Sequence, residues 1–296
     1  YPELSFKEFK TAKTISKYLK EFGIKHKTNV GKTGVVGEIY FGPGPTIALR
    51  ADMDALPMQE KGSSDYKSRN DGVMHACGHD GHMAILLGAA KSLSKNNRIK
   101  KGTVKFIFQP AEEGGGGARY MIEDGCLNGV DEIYGLHLWN YQKYGEVGLK
   151  TGPVMASADI FEIEILGKGG HGAAPQGTVD AIVVASHLIT ILQTVVSRNT
   201  NPLENTVLTI GKIKGGENFN IISDNVIMYG TTRAYSEKNR QMIKKRMGEI
   251  IEGVSNSFNA IIKIKYKEGY PPTVNHDVPV KNVLLAAKDI VGNQAK

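Results

Sequence analysis

"TIALRADMDALP", residues 46–57, opens as a β-branched and aliphatic run and ends in two aspartates and a proline. That pattern is a buried strand stopping at a polar edge. Working outward, the shape recurs in "TVKFIFQPAEEGGGG" (103–117), an apolar strand breaking into a loop, and in "EIYGLHLWN" (132–140). Between them "HMAILLGAAKSL" (82–93) reads as a helix, as does "FKEFKTAKTISKYLKEFG" (6–23), which stops at Gly23. Strands alternating with helices predict an α/β fold with a mixed, mostly parallel sheet and flanking helices. In such sheets ligands bind beyond the carboxyl ends of the strands. Asp52 and Asp54, Glu112 and Glu113, and His137 all fall there.

A different rhythm begins near Ala156. "DIFEIEILGKG" (159–169) alternates as a strand, and "TVDAIVVASHLITILQTVVSR" (178–198) is a long amphipathic helix. "NTVLTIGKIKGG" (205–216) and "NVIMYGTTRAY" (225–235) are strands, residues 237–258 a helix, and "AIIKIKYKEGY" (260–270) a last strand. The order β-α-β-β-α-β is ferredoxin-like and predicts an inserted α+β domain over 156–268. Residues 1–155 and 269–296 then form the other domain, to which the tail helix at "VKNVLLAAKDI" (280–290) returns.

Composition narrows the function. Thirty-seven Lys and Arg against thirty Asp and Glu give a net charge of +7, but the basic residues are spread and no nucleic-acid motif accompanies them. A solvated basic surface is expected, with attraction of small anionic substrates as a second use and no nucleic-acid partner. No apolar run approaches the roughly 18–20 residues of a membrane span, and no secretory signal is read, so no membrane partner and a cytoplasmic location are expected. The sequence starts without methionine at "YPELSFKEF", and its abrupt ends predict a piece of a longer chain. Two cysteines, Cys77 and Cys126, make no disulfide framework, and Cys126 reads as a small buried hydrophobe.

The chemistry concentrates in "GVMHACGHDGHMA" (72–84), which holds three of the eight histidines beside Cys77. Cys77 and His79 are two residues apart, and an extended segment would aim both side chains the same way. With carboxylates and an imidazole from other strand ends they offer S, N and O donors suited to zinc, manganese, cobalt or nickel. "QPAEEGGGG" sets two like charges before four glycines, a poor choice for stability alone. One carboxylate binding metal while its neighbour takes a proton from water explains both features. Asp54 could hold a ligand imidazole in one tautomer, although taken by itself a turn-forming aspartate near Pro57 is the favoured reading.

"RADMDALPMQE", "MHACGHDGHMA", "QPAEEGGGGARYMIEDG", "GLHLWN" and "GKGGHGAAPQGTVDAI" together resemble the aminoacylase/carboxypeptidase-type metallo-amidohydrolases. The similarity is strongest to the branch of hippurate hydrolases, N-acetyl-amino-acid deacetylases and auxin-conjugate (IAA-amino acid) hydrolases. It runs through nearly the whole sequence, and "HACGHDGH" is highly specific for that branch. The resemblance implies a zinc-peptidase-like catalytic domain with two divalent metal ions and a ferredoxin-like lid that mediates homodimerisation. It implies Cys77 as the ligand bridging the metals, with His79, Glu113 and His137 as further ligands. Glu112 would be the general base and Asp54 the residue orienting a ligand. His171, in "GGHGA", would stabilise the oxyanion in the partner's site, and Asn220 and Arg233 would lie near the substrate carboxylate.

The activity implied is hydrolysis of the amide bond of N-acyl (acetyl, benzoyl or similar) amino acids. Two departures bear on it. The last family ligand, a histidine near the C-terminus, has no counterpart, since His276 lacks its context, and Gln176 stands where many relatives carry histidine. A dipeptidase or carboxypeptidase of the same family and a non-catalytic metal- or peptide-binding protein are the competing expectations. A serine hydrolase is disfavoured because no G-x-S-x-G elbow occurs, and "EEGGGGARY" lacks the Gly-Lys-Ser/Thr ending of a phosphate loop.

Overall fold

The computed structural model describes residues 1–296, which divide into two compact units, Tyr1–Glu146 and Val147–Lys296. The first unit contains α1 (Phe9–Glu21), β1 (Lys25–Val30), β2 (Gly34–Gly42), β3 (Thr46–Asp52), α2 (His79–Ser94), β4 (Gly102–Gln109), α3 (Gly117–Glu123) and β5 (Glu132–Gly135). Its five-stranded sheet has the order β1-β2-β4-β3-β5. β3 runs parallel to both β4 and β5, whereas β1 and β2 pair antiparallel with each other and β2 with β4. The sheet is therefore mixed, as expected. Its antiparallel share comes from the tight β1–β2 hairpin, in which Gly31 and Lys32 take φ of 60° and 81°.

Helical spacing decides what covers this sheet. Ala12, Ile15 and Leu19 form one face of α1, and Met83, Leu86 and Ala90 one face of α2. Both stripes close over Val35, Phe106 and Phe108. Fully burying such aliphatic and aromatic side chains stabilises by about 1.5–3 kcal/mol each, so this core fixes where β3 and β4 end.

The second unit contains β6 (Gly152–Met155), β7 (Asp159–Leu166), β8 (Gly170–His171), α4 (Ala181–Thr194), β9 (Thr206–Gly215), β10 (Ile221–Ile222), β11 (Asn225–Ala234), α5 (Glu237–Phe258), β12 (Ile261–Lys267), β13 (Thr273–Asn275) and α6 (Asp277–Val291). Its four-stranded antiparallel sheet, ordered β12-β7-β11-β9, has α4 and α5 packed on one face around Ile163, Ile165, Leu188, Met228 and Ile243. This is the ferredoxin-like order read from the sequence. The unit boundary falls after Glu146, and residues 269–296 group here because β13 pairs with β6 and Val147 bridges Ala295.

One expectation is corrected. The helix over Ala181–Asn199, with mean hydropathy 1.5, is long and apolar enough by length and composition to cross a membrane. Ala181, Val184, Ala185, Leu188, Leu192 and Val195 are each at most 1% exposed and belong to the core, so the helix is apolar because one face is packed inside this unit.

Candidate metal centre

The parallel strands β3, β4 and β5 deliver their C-terminal ends to one edge, and the site lies wholly within the first unit. β3 contributes Asp52 and, just beyond, Asp54; β4 leads into Glu112 and Glu113; the segment after β5 carries His137; and α2 begins at His79. Potential ligand atoms of Cys77, His79 and His137, of His79, Glu112 and Glu113, and of Asp52, His79 and His82 form three groups, each within 4.8 Å. Cys77 and His79 converge as expected, but the reason differs. Their segment is not extended: Gly78, with φ 82°, turns the chain into α2 between them.

Backbone carbonyls set both histidine tautomers. His79 Nδ1 lies 2.8 Å from the Asp54 carbonyl and His137 Nδ1 2.6 Å from the Leu138 carbonyl. A carbonyl can only accept, so each Nδ1 carries the hydrogen, and in the neutral ring each Nε2 presents a lone pair. His79 Nε2 is buried without a hydrogen-bond partner and faces Asp52 Oδ2 at 3.6 Å, Glu113 Oε1 at 3.9 Å and Glu112 Oε2 at 4.0 Å. His137 Nε2 lies 3.4 Å from Cys77 Sγ.

Asp54 does more than orient an imidazole. Its carboxylate accepts the backbone N–H groups of Glu112 at 2.9 Å and Glu113 at 3.0 Å, and the Ser5 hydroxyl at 2.6 Å. The glycine run that follows makes this turn possible. Gly114 and Gly116 adopt φ of 86° and 73°, while a side chain on Gly117 would meet the Pro110 carbonyl at 1.8 Å.

Asp52, expected at a strand end, and His82, expected in a supporting position, acquire definite roles here. Asp52, 1% exposed, receives His82 Nδ1 at 2.6 Å and Arg50 Nη1 at 2.7 Å. His82 Nε2 in turn accepts the Leu138 N–H at 2.9 Å. Both nitrogens of His82 are thereby used, which makes it a strut beneath the His137 loop rather than a free donor. The available signals were the two-residue spacing of Asp52 and Asp54 at a strand end and the i, i+3 spacing of His79 and His82 on α2.

The electrostatics favour positive charge. Burial and the neighbouring Glu113 charge raise the Glu112 pKa. Burial opposes charging His79, yet the hydrogen bond with Asp54 and the Asp52 charge raise its pKa. Burial and the Glu113 charge push the Cys77 thiol up to about 12. Burial also opposes ionisation of Asp52, but His82 and Arg50 outweigh it and hold Asp52 well below the usual carboxylate range. Glu113 Oε1, like His79 Nε2, is buried without a partner. Unpaired buried lone pairs are costly, and sulfur, imidazole and carboxylate donors facing one another fit divalent transition metals.

The remaining expected residues lie in the second unit. His171, on β8, stands opposite Ile221 of β10, and the Gly172 N–H donates to the Asn220 carbonyl at 2.8 Å, so His171 and Asn220 share one exposed corner. Arg233 is not with them. It sits eight residues along β11 from Asn225, about 26 Å at strand rise, with its guanidinium on the Thr232 carbonyl at 2.9 Å.

A mixed α/β sheet whose parallel strands end in a sulfur, imidazole and carboxylate cluster beside an acidic turn defines a metallohydrolase-type protein. Comparison with known families agrees: residues 48–296 match the model of peptidase family M20/M25/M40, and the chain belongs to that family. It is 49% identical over 278 residues to the N-acetyl-L-cysteine deacetylase of Bacillus subtilis, covering 94% of this chain and 67% of that protein. It is 42% identical over 279 residues to the N-acyl-L-amino acid amidohydrolase of Geobacillus stearothermophilus, covering 94% and 75%. The crystal structure of a dinuclear metal-binding M20 peptidase from Bacillus subtilis superposes with a TM-score of 0.86 at 38% identity, covering 100% of this chain and 78% of that one.

Proposed function

We propose that this protein is a metal-dependent amidohydrolase that cleaves the amide bond of N-acyl amino acids. The observation that carries the reading is the Glu112 carboxylate, its pKa raised by burial and by Glu113, set beside the unpartnered His79 Nε2 and Glu113 Oε1. Relatives acting on N-acetylcysteine and N-acyl amino acids support the substrate class.

Cys77, His79, Glu113 and His137 would hold two divalent ions, of manganese, zinc, nickel or cobalt, with Asp54 fixing His79. When bound, such ions polarise the acyl carbonyl and make water a better nucleophile near neutral pH. Glu112 accepts the proton of the attacking water on its carboxylate and returns it to the leaving amine. His171, supplied by a second copy, donates to the developing oxyanion, and Asn220 beside it recognises the substrate carboxylate, a contact that Arg233, at the far end of β11, does not share within the same copy.

Homodimerisation is part of this reading, with 156–268 as the lid and 1–155 with 269–296 as the catalytic domain. It is supported by β9 standing at a sheet edge with Val207 and Ile213 exposed, and by Ile182, Val183 and Ile191 exposed on α4. Free thiols at Cys77 and Cys126 suit a reducing compartment such as the cytoplasm.

The test is release of free amino acid from N-acetyl, N-benzoyl and dipeptide substrates after chelation and after adding back each metal. Metal-restored cleavage of the N-acyl set is expected. Cleavage of dipeptides alone would reassign the protein to peptide hydrolysis, and stoichiometric metal binding without cleavage would make it a binding protein.

A further inference from the structure

The turn carrying Glu112 and Glu113 is held by Glu8, which belongs to none of the candidate metal-ligand groups. Three successive backbone N–H groups, of Ala111, Glu112 and Glu113, donate to two carboxylates. Asp54 takes the second and third. The first goes at 2.9 Å to Oε1 of Glu8, whose Oε2 accepts the Thr33 hydroxyl at 2.5 Å. Glu8 is 0% exposed, and the partners of its carboxylate are the neutral Thr33 hydroxyl and Ala111 N–H. Burying an unpaired carboxylate is expensive, so its two hydrogen bonds must matter to the fold or to the turn.

Glu8 stands at the N-cap position of α1, and its side chain makes no capping bond. Glu3 does that work instead, accepting the N–H groups of Lys10 at 3.2 Å and Thr11 at 2.8 Å. The residue Glu8 grips is also unusual. Ala111 is buried at φ 50°, a left-handed conformation that a residue with a Cβ disfavours. Such outliers persist only where surrounding contacts over-determine them. The Ala111 carbonyl accepts from Gly117 at 3.1 Å, which closes the glycine loop over the same residue.

We infer that Glu8 is a positioning residue: by holding the Ala111 N–H it keeps this residue left-handed and so aims Glu112 and Glu113 at the metal-ligand cluster. Ser5, three residues earlier, joins the same arrangement through its hydroxyl on Asp54 at 2.6 Å. The segment before α1 is thereby a strap that sets the geometry of the site. The inference rests on the turn being the catalytic one.

The experiment compares wild type with Glu8→Gln, Glu8→Ala and the double variant Glu8→Ala/Ala111→Gly in the full chain. Three quantities are read: hydrogen exchange of peptide 109–118, affinity for manganese or zinc by titration, and kcat and KM on an N-acetyl amino acid. Glu8→Ala is expected to speed exchange in that peptide selectively and to weaken metal binding by roughly 10–100-fold. It should lower kcat while KM changes little. Glu8→Gln, which keeps one acceptor, should fall between, and Ala111→Gly should restore part of the loss because glycine takes the left-handed conformation without a Cβ penalty. A lowered melting temperature with wild-type exchange in the turn, wild-type metal affinity and wild-type kcat would reduce Glu8 to a fold-stabilising residue and overturn the inference. Absence of rescue by Ala111→Gly would also overturn it. Should Glu8→Ala fail to fold, Glu8→Gln and Thr33→Val carry the same comparison. Wild-type protein that binds metal but cleaves no N-acyl amino acid would sink the functional reading, while exchange and metal titration still judge the clamp.

Discussion

Asp159 in the second unit and Asp52 in the first are equally hidden from water, at 0% and 1% exposure, and their surroundings differ in how many lone pairs are matched. Around Asp159 every acceptor is used. Arg240 donates through Nη2 at 2.7 Å and Nε at 2.9 Å, the Gly269 N–H at 2.8 Å and the Tyr266 hydroxyl at 3.0 Å. Around Asp52 the accounting stays open, because His79 Nε2 and Glu113 Oε1 face the same space, each buried without a hydrogen-bond partner. A closed cluster of this kind serves the fold; an open one keeps coordination sites for something else. Burial alone does not separate structure from function here, and the count of unmatched lone pairs does.

The sharpest way to break the comparison is at the base. Glu112→Gln keeps the shape of the turn, whose backbone N–H groups are held by Asp54, but removes the proton acceptor. Turnover should fall by about 10²–10⁴-fold while metal still binds, as measured by steady-state kinetics beside metal analysis. Near-normal turnover would move the base elsewhere. In the closed cluster the expected loss is of stability instead. Arg240→Ala leaves Asp159 buried with only Tyr266 and Gly269, and should cost about 3–5 kcal/mol in denaturant unfolding, with metal affinity of the folded protein unchanged. A cost below about 1 kcal/mol would mean that the pair behaves as a surface ion pair despite its burial.

An intermediate case is His82, which is closed itself yet supports the open cluster. His82→Leu strands the Leu138 N–H and one oxygen of Asp52, and loosens the segment whose carbonyl orients His137. Metal affinity should drop roughly 10–100-fold, read by titration. An unchanged affinity would show that the Leu138 carbonyl holds His137 without this strut.

Much of this is legible in the sequence. The strand ends at Asp52, Glu112 and His137 were visible because β-branched runs ending in charge have few other uses in a sheet. The ferredoxin-like order of the second unit followed from alternation and amphipathic spacing alone. What stayed hidden depended on contacts distant in sequence. Glu8 sits in a lysine-rich amphipathic segment, where a glutamate reads as solvated surface, and only the 103-residue reach to Ala111 shows its use. Arg233 and Asn220 are near neighbours in sequence, and the rigid length of β11 separates them. The apolar helix over Ala181–Asn199 shows the converse, since composition reports hydrophobicity but not which surface covers it.

The finest discrimination between the two clusters is their response to acid in metal-free protein. Asp159 is opposed by burial but held down by Arg240, Gly269 and Tyr266, so its folded pKa lies below the ordinary carboxylate value. Its contribution is full above that ordinary value and is lost as pH falls through the depressed one. Glu112 has the opposite sign: burial and the Glu113 charge raise its folded pKa, so the folded protein binds the proton first and gains stability as pH falls through the raised value towards about 4.3. Because the Glu112 side chain is 34% exposed, solvent screening keeps that gain small. Melting temperatures in chelator, taken from neutral pH downward for wild type and Glu112→Gln, should therefore differ in slope just above the ordinary carboxylate range. Wild type should be favoured by acidification there and the variant not, with both losing stability below that range as the Asp159 cluster titrates. Parallel curves throughout would show that the turn relaxes without metal, and that its crowded carboxylates are a property of the occupied site alone.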